Sequence, residues 1–279
     1  MRKNFNGIVY FYGLWVFVLI VLPLVILLAI SFLSGDIYDL SSVGFTLDNY
    51  IEAFSPAYLG VIVKSLLIAF YCNLICLLIG YPVTYIMASM RHKNRNIMVL
   101  LILAPMWSNF LLRTYSWMVV LGNSGVINSL LKTLSLNPIQ LMYNDFGVIL
   151  GMVYNFLPFM ILPIYLSLTK IDKNLVEAAT DLGARKIDVF TKIKLPLSIP
   201  GIFSGTTLVF LPAITSFVIS KLLGGGKYLL VGNLIEYKLI SQQEWQVGSA
   251  ISMMLIVLLL VFLGSIRKLA KNKLELNVW

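Results

Sequence analysis

The chain has 279 residues, of which 59% are hydrophobic and 12% charged, and its mean hydropathy is +0.90. So few charges exclude a water-soluble domain of this size and point to a polytopic membrane protein. The formal charge of +9 then does not imply nucleic acid, because basic residues of such proteins gather in cytoplasmic loops.

Arg2 and Lys3 precede an apolar run, Ile8 to Leu33, that is much longer than the h-region of a signal peptide and lacks a small-residue cleavage site. It reads as an uncleaved first span, 8–33. The connection from Ser34 to Leu59 holds Asp36, Asp39, Asp48 and Glu52 with no Lys or Arg and is expected to face outward. The second span, 60–90, contains Gly80 and Pro82, which predict a bend. Arg91, Lys93 and Arg95 mark a cytoplasmic turn, and His92, the one histidine, reads as a solvated residue within it. The third span, 96–121, carries the polar and aromatic stretch Ala104 to Tyr115. Residues 124–145, with Gly125, Asn128 and Asn137-Pro138 as turn signals, form a second outer connection with room for a short surface helix. The fourth span is 146–168, the fifth 198–220 and the sixth 247–266, followed by a tail with Arg267, Lys268, Lys271 and Lys273.

Between the fourth and fifth spans lies the longest charged run, Lys170 to Gly201. Asp172 is a candidate N-cap, and Leu175, Ala178, Ala179 and Leu182 recur at helical spacing as a narrow apolar stripe. Gly183 is placed to end that helix in a left-handed conformation. Ala184 to Ile193 begins a second helical pattern that Pro196 is expected to stop. Ala178, Ala179 and Gly183 would let another protein's groove approach the backbone, with Glu177, Asp181, Arg185 and Lys186 as its polar rim. The alternative is an amphipathic loop on the headgroups, with Lys192 and Lys194 touching anionic lipid.

The chemistry inside the spans is sparse. Arg113 is the one arginine placed within a span, and it either serves function or reaches outward to the interface. Trp107, Asn109 and Tyr115 flank it, and Asn155, Phe156 and Phe159 form a similar set on the fourth span. Aromatic faces attract organic cations and amide oxygens accept hydrogen bonds from ammonium groups, so these seven are candidate pathway or gate residues; helix packing is the competing reading for each. Cys72 and Cys76 sit four apart on one helix face and read as packing residues, with no disulfide framework or metal site indicated. No phosphate-binding loop of the Walker type occurs, so no nucleotide is expected on this chain. Six spans put both termini on one side, and the concentration of Lys and Arg in the termini, the Arg91 turn and the charged run puts that side in the cytoplasm.

Glu177-Ala178-Ala179, three residues, Gly183, nine residues, then Ile193-x-Leu195-Pro196 resembles the EAA loop of ABC importer permeases. Phe45 to Tyr50, Gly80-Tyr81-Pro82, Pro105-x-Trp107-x-Asn109 through Arg113 and Tyr115, Leu157 to Met160, and Leu195 to Gly201 extend the likeness over essentially the whole chain. Together they resemble the permease subunit of spermidine/putrescine importers, the PotB type. That resemblance implies an all-α type I importer permease fold, one membrane domain over residues 1–279 with a cytoplasmic coupling hairpin at 170–197. It implies that Glu177, Ala178, Ala179, Asp181, Leu182, Gly183 and Ala184 dock an ATPase. It further implies a bacterial inner membrane location, two copies of an ATPase that bind ATP and Mg in place of this chain, a second homologous permease and an extracellular polyamine-binding protein. Import of another small solute is the alternative. A secondary transporter is the third reading, weakened by the lack of Asp or Glu in the middle of any span.

Overall fold

The structure, a computed structural model, describes residues 11–35, 43–226 and 228–276, with side chains as far as Lys268. Arg2, Lys3, Asp36, Asp39 and Lys227 lie outside the described residues, as do the side chains of Lys271 and Lys273. Five helices are long and apolar enough to cross a membrane, and a sixth crossing is added if one sharply bent pair counts as a span. They are α1 (Phe11–Ser31), α3 (Pro56–Ser89), α7 (Asp145–Thr169), α9 (Lys186–Thr215) and α12 (Trp245–Leu276), with the bent pair formed by α4 (His92–Trp107) and the stretch Phe110–Thr133, which opens with α5 (Phe110–Leu121). Short helices complete the chain: α2 (Asp48–Ala53), α6 (Val126–Thr133), α8 (Lys173–Asp181), α10 (Val218–Leu223) and α11 (Val231–Glu236). The surface helix expected within residues 124–145 is α6.

The residues fall into two compact units, one of residues 1–61 with 234–260, the other of residues 62–233 with 261–279. In the first, the Phe45 to Tyr50 motif folds the connection back on the end of α1. Leu33 pairs with Phe45 in a two-residue antiparallel ladder, and Phe32 stacks on Phe45 at 5.5 Å. The Asn49 amide donates to the carbonyls of Ser31 and Leu33 at 3.0 and 2.8 Å, while Tyr50 shares a 2.7 Å hydrogen bond with Ser31. Lys238 is buried in the same unit. It pairs with Glu244 and, at 3.6 Å, with Glu52. Burial pulls its ammonium pKa down, but the bonds to Glu244 and Tyr58 outweigh burial and hold it above the ordinary lysine value. α1 buries none of its apolar window within the chain, so lipid or another subunit must cover it.

The core of the second unit is the pairing of α7 with α9, backed by α3. Met152, Met160 and Ile164 of α7 and Val209 and Ile214 of α9 are fully buried, together with Cys72 and Cys76 of α3. Both cysteines are buried free thiols. Glycines set how closely the helices approach. A Cβ on Gly201 would lie 2.6 Å from the Pro163 carbonyl oxygen, one on Gly205 2.8 Å from Met160 Sδ, and one on Gly80 3.2 Å from Met160.

The fifth and third spans differ from those expected, and the fifth also ends at Thr215 short of residue 220. The fifth helix begins at Lys186 and runs unbroken to Thr215, so Pro196 does not stop it. A π turn over Phe190–Lys194, closed by the Leu195 amide on the Phe190 carbonyl, immediately precedes the proline. Pro196 then stands near the start of the next α-helical stretch, where a missing amide is tolerated. The third span is not one helix. Its two arms meet at 92°, because Pro105 tightens Ala104–Trp107 into a 3-10 turn and Ser108 and Asn109 are not helical.

Candidate functional site

The charged hairpin is built by local rules. Asp172 caps α8, its carboxylate accepting from the Asn174 amide at 2.9 Å. At the other end the Gly183 amide donates to Thr180 O at 2.9 Å and the Ala184 amide to Ala179 O at 3.0 Å. These two bonds make a Schellman closure, and Gly183 takes the left-handed φ of +86° that it requires. The chain then enters α9 directly, where Asp188 binds Arg185 at 3.2 Å and Lys192 at 3.3 Å.

Between the two arms lies a groove of 350 Å³ lined by Ala179, Leu182, Gly183, Ala184, Asp188, Val189, Lys192 and Ile193. A Cβ on Gly183 would meet nothing within 4 Å. The apolar stripe read from the sequence is uncovered: Leu182 is 90% exposed and Leu175 47%. Ala178 and Asp181 are exposed on the same helix, but Glu177 lines a different cavity at the root of the hairpin. Four of the seven coupling residues therefore share one groove.

The seven pathway candidates do not form one lining. Trp107, at the bend, is 78% exposed and Tyr115 is 50% exposed. Asn109 is the N-cap of α5, its Oδ1 accepting from the Leu111 amide at 2.8 Å. Arg113 keeps its backbone in that helix, while its Nε and one terminal nitrogen are buried without an acceptor among the described residues. On α7, Asn155 and Phe156 are buried and Phe159 is half-buried. Asn155 donates to the Gly151 carbonyl at 2.8 Å, and its own oxygen has no partner among the described residues. What joins α5 to α7 is Trp117 edge-on to Tyr154, 5.3 Å apart.

Residues 3–271 match the family described as binding-protein-dependent transport system inner membrane component. The chain belongs to that family. This permease is 40% identical over 268 residues to the spermidine/putrescine transport system permease protein PotB of Escherichia coli strain K12, covering 94% of this chain and 98% of that one. It is also 40% identical over 268 residues to PotB of Haemophilus influenzae, covering 94% of each. A chain of a bacterial ABC transporter that imports the acidic polysaccharide alginate superposes with a TM-score of 0.82 over 97% of this chain and 96% of that one, at 15% identity. The last likeness is one of fold, and the family match is what makes the chain a multi-pass inner membrane component.

Sequence reading missed three features of the permease. Lys238 and Glu244 share one connection, but Glu52 comes from another, with no periodicity to unite the three. Asn128 was read as a turn signal, yet it is buried and bonds Gly122 and Ile139 from both ends of its amide. The Trp117–Tyr154 pair carries no local signature at all. Asn109, by contrast, was read as a pathway residue and has a definite local role. Its replacement by alanine should cost about 1 kcal/mol through loss of the cap, and Asn109→Asp should cost little. Thermal unfolding in detergent measures both; transport lost in a fully stable Asn109→Asp variant would instead give the amide a role toward solute.

Proposed function

We propose that this permease is the membrane-spanning subunit of an ATP-binding-cassette importer for polyamines of the spermidine and putrescine kind. The observation that carries the substrate is the 40% identity, over nearly the full length of both chains, to PotB proteins named for that transport. The partners come from the same reading: a second, similar permease, two ATPase subunits and an extracellular binding protein that delivers the polyamine. ATP and Mg belong to the ATPase. Both termini and the hairpin lie in the cytoplasm, in keeping with the excess of Lys and Arg there.

In this mechanism the ATPase seats in the groove at Ala179, Leu182, Gly183 and Ala184, with Glu177, Ala178 and Asp181 at its margin. Closure of the ATPase pair displaces α8. Because the Schellman turn leads from α8 into α9 with only Arg185 between, and α9 is continuous from Lys186 to Thr215, the displacement passes along one helix into the membrane. α7 moves with it through its close packing at Gly201 and Gly205. Nucleotide thereby biases two arrangements of the spans that differ little in free energy. Trp107 and Tyr115 face the pathway from the broken third span, Asn155, Phe156 and Phe159 support it from α7, and Arg113 acts as a gate or brace, since an arginine repels a polycation.

The test is ATP hydrolysis by the reconstituted complex, with binding protein supplied empty, loaded with spermidine or putrescine, or loaded with a control amino acid. Stimulation by the polyamine-loaded form alone is the expected result, and Trp107→Ala should retain that stimulation while lowering uptake. Stimulation by another solute would discard the polyamine, and uptake by this chain without ATP would discard the importer.

A further inference from the structure

At the root of the hairpin, a cavity of 210 Å³ opens between the start of α4, the start of α8 and the third turn of α9, beside the ends of α3 and α7. Arg95, Lys173 and Lys194 line it, one each from α4, α8 and α9, with Tyr85, Thr169 and Glu177. Three cationic side chains thus converge on a space with one carboxylate. Among the described residues, none of the three forms an ion pair. Arg95 gives one terminal nitrogen to His92 at 2.8 Å, and its Nε is buried with no acceptor among the described residues. Lys194 lies 4.7 Å from the centre of the Tyr85 ring. That ring is held edge-on by Phe190 at 5.4 Å. The Thr169 hydroxyl is already spent on the Tyr165 carbonyl.

We propose that this cavity is a binding site for a phosphate group, either the headgroup of an anionic phospholipid or free inorganic phosphate. A tetrahedral oxyanion accepts from donors arriving along three directions. Arginine and lysine together supply a planar fork and two point charges. Glu177 is the one carboxylate in the lining, and among the described residues it pairs with none of the three. The position gives the site a consequence: the bound group would tie the turn between α3 and α4 to both arms of the hairpin, so its occupancy would bias how that hairpin moves. That consequence, and the cytoplasmic placement, rest on the function proposed above; the binding itself rests on the cavity's side chains.

The experiment uses the full-length permease in its complex and two probes. Native mass spectrometry reads retention of phosphatidylglycerol against phosphatidylcholine, and thermal unfolding reads stabilisation by inorganic phosphate. Arg95→Gln with Lys194→Gln should weaken the responding probe by about tenfold or more, since two charge-assisted hydrogen bonds are lost. Lys173→Gln alone, on the exposed start of α8, should give a smaller loss in the same direction and serves if the double variant does not fold. Arg91→Gln with Lys93→Gln removes the same charge from the same turn outside the cavity and should change nothing. Response to phosphatidylglycerol alone identifies a lipid headgroup, and response to inorganic phosphate identifies the free ion. Binding of neither probe, or an equal loss in the Arg91 and Lys93 variant, overturns the site. Stimulated ATP hydrolysis by the unmodified complex is a separate readout, so failure here leaves the importer reading standing.

Discussion

Gly183→Trp lowers binding-protein-stimulated ATP hydrolysis and uptake by about tenfold or more while the permease itself remains folded in the membrane. Two effects act at this position and can be separated. The residue holds a left-handed φ of +86°, so most side chains with a Cβ, tryptophan among them, strain the turn by roughly 1–2 kcal/mol. A Cβ there meets no atom of this chain within 4 Å, so a larger side chain leaves the backbone into open space. It stands in the groove beside Leu182, where the ATPase is proposed to seat. Gly183→Asn isolates the second effect, because asparagine tolerates the left-handed region and keeps the Schellman closure. The expected order of coupling is therefore glycine, asparagine, tryptophan, with thermal unfolding of the asparagine variant little changed. Wild-type uptake by the tryptophan variant in a normally assembled complex would remove the groove from the coupling path.

The hairpin was legible because its signals are local. An N-cap, a helical stripe and a glycine at the stop each act within a turn or two of chain, and Asp172, Leu175 and Gly183 stand where those rules put them. Five of the spans were legible because hydropathy is a sum over many residues, and the sixth stands only if the bent pair counts as one. The ends of the spans were not legible. Pro196 carries a strong local signal to stop, yet a π turn over Phe190–Lys194 lets the helix pass it, and nothing in the residues themselves announces that turn. Pro105 sends the same kind of signal, and there the chain does break, by 92°. The residues C-terminal to each proline make the difference. Ser108 and Asn109 supply an extended residue and a ready cap for a new helix, whereas Gly201, soon after Pro196, is packed against Pro163 and Ser167 of α7. Asn155 and Trp107 were grouped by chemical type, but burial separates them, because side chains with one chemistry are sorted by the helix face on which they fall.

Gly201→Ala destabilises the permease by about 1–3 kcal/mol, more than Gly205→Ala, although both add one methyl to the same helix face. At Gly201 the new Cβ would fall 2.6 Å from the Pro163 carbonyl oxygen and 2.6 Å from Ser167 Oγ. A serine hydroxyl can turn away, but the Pro163 oxygen and the Ser167 Cβ, 2.8 Å from the new methyl, move only if α7 or α9 moves. At Gly205 the nearest atom is Met160 Sδ at 2.8 Å, the far end of a flexible side chain, with the Met160 carbonyl at 3.1 Å behind it. Adding Ser167→Ala to Gly201→Ala should therefore recover part of the loss and not all of it, since the clash with Pro163 remains. Thermal unfolding in detergent gives the order directly, and equal unfolding temperatures for the two alanine variants would show that the helices are free to separate. A separated pair would also break the mechanical argument. α7 leads into the hairpin and α9 leads out of it, so a displacement applied at Gly183 reaches both spans only while Gly201 and Gly205 keep them in contact. Gly201→Ala should accordingly lower uptake more than it lowers ATP hydrolysis, because the ATPase still docks while the spans respond less completely to its closure.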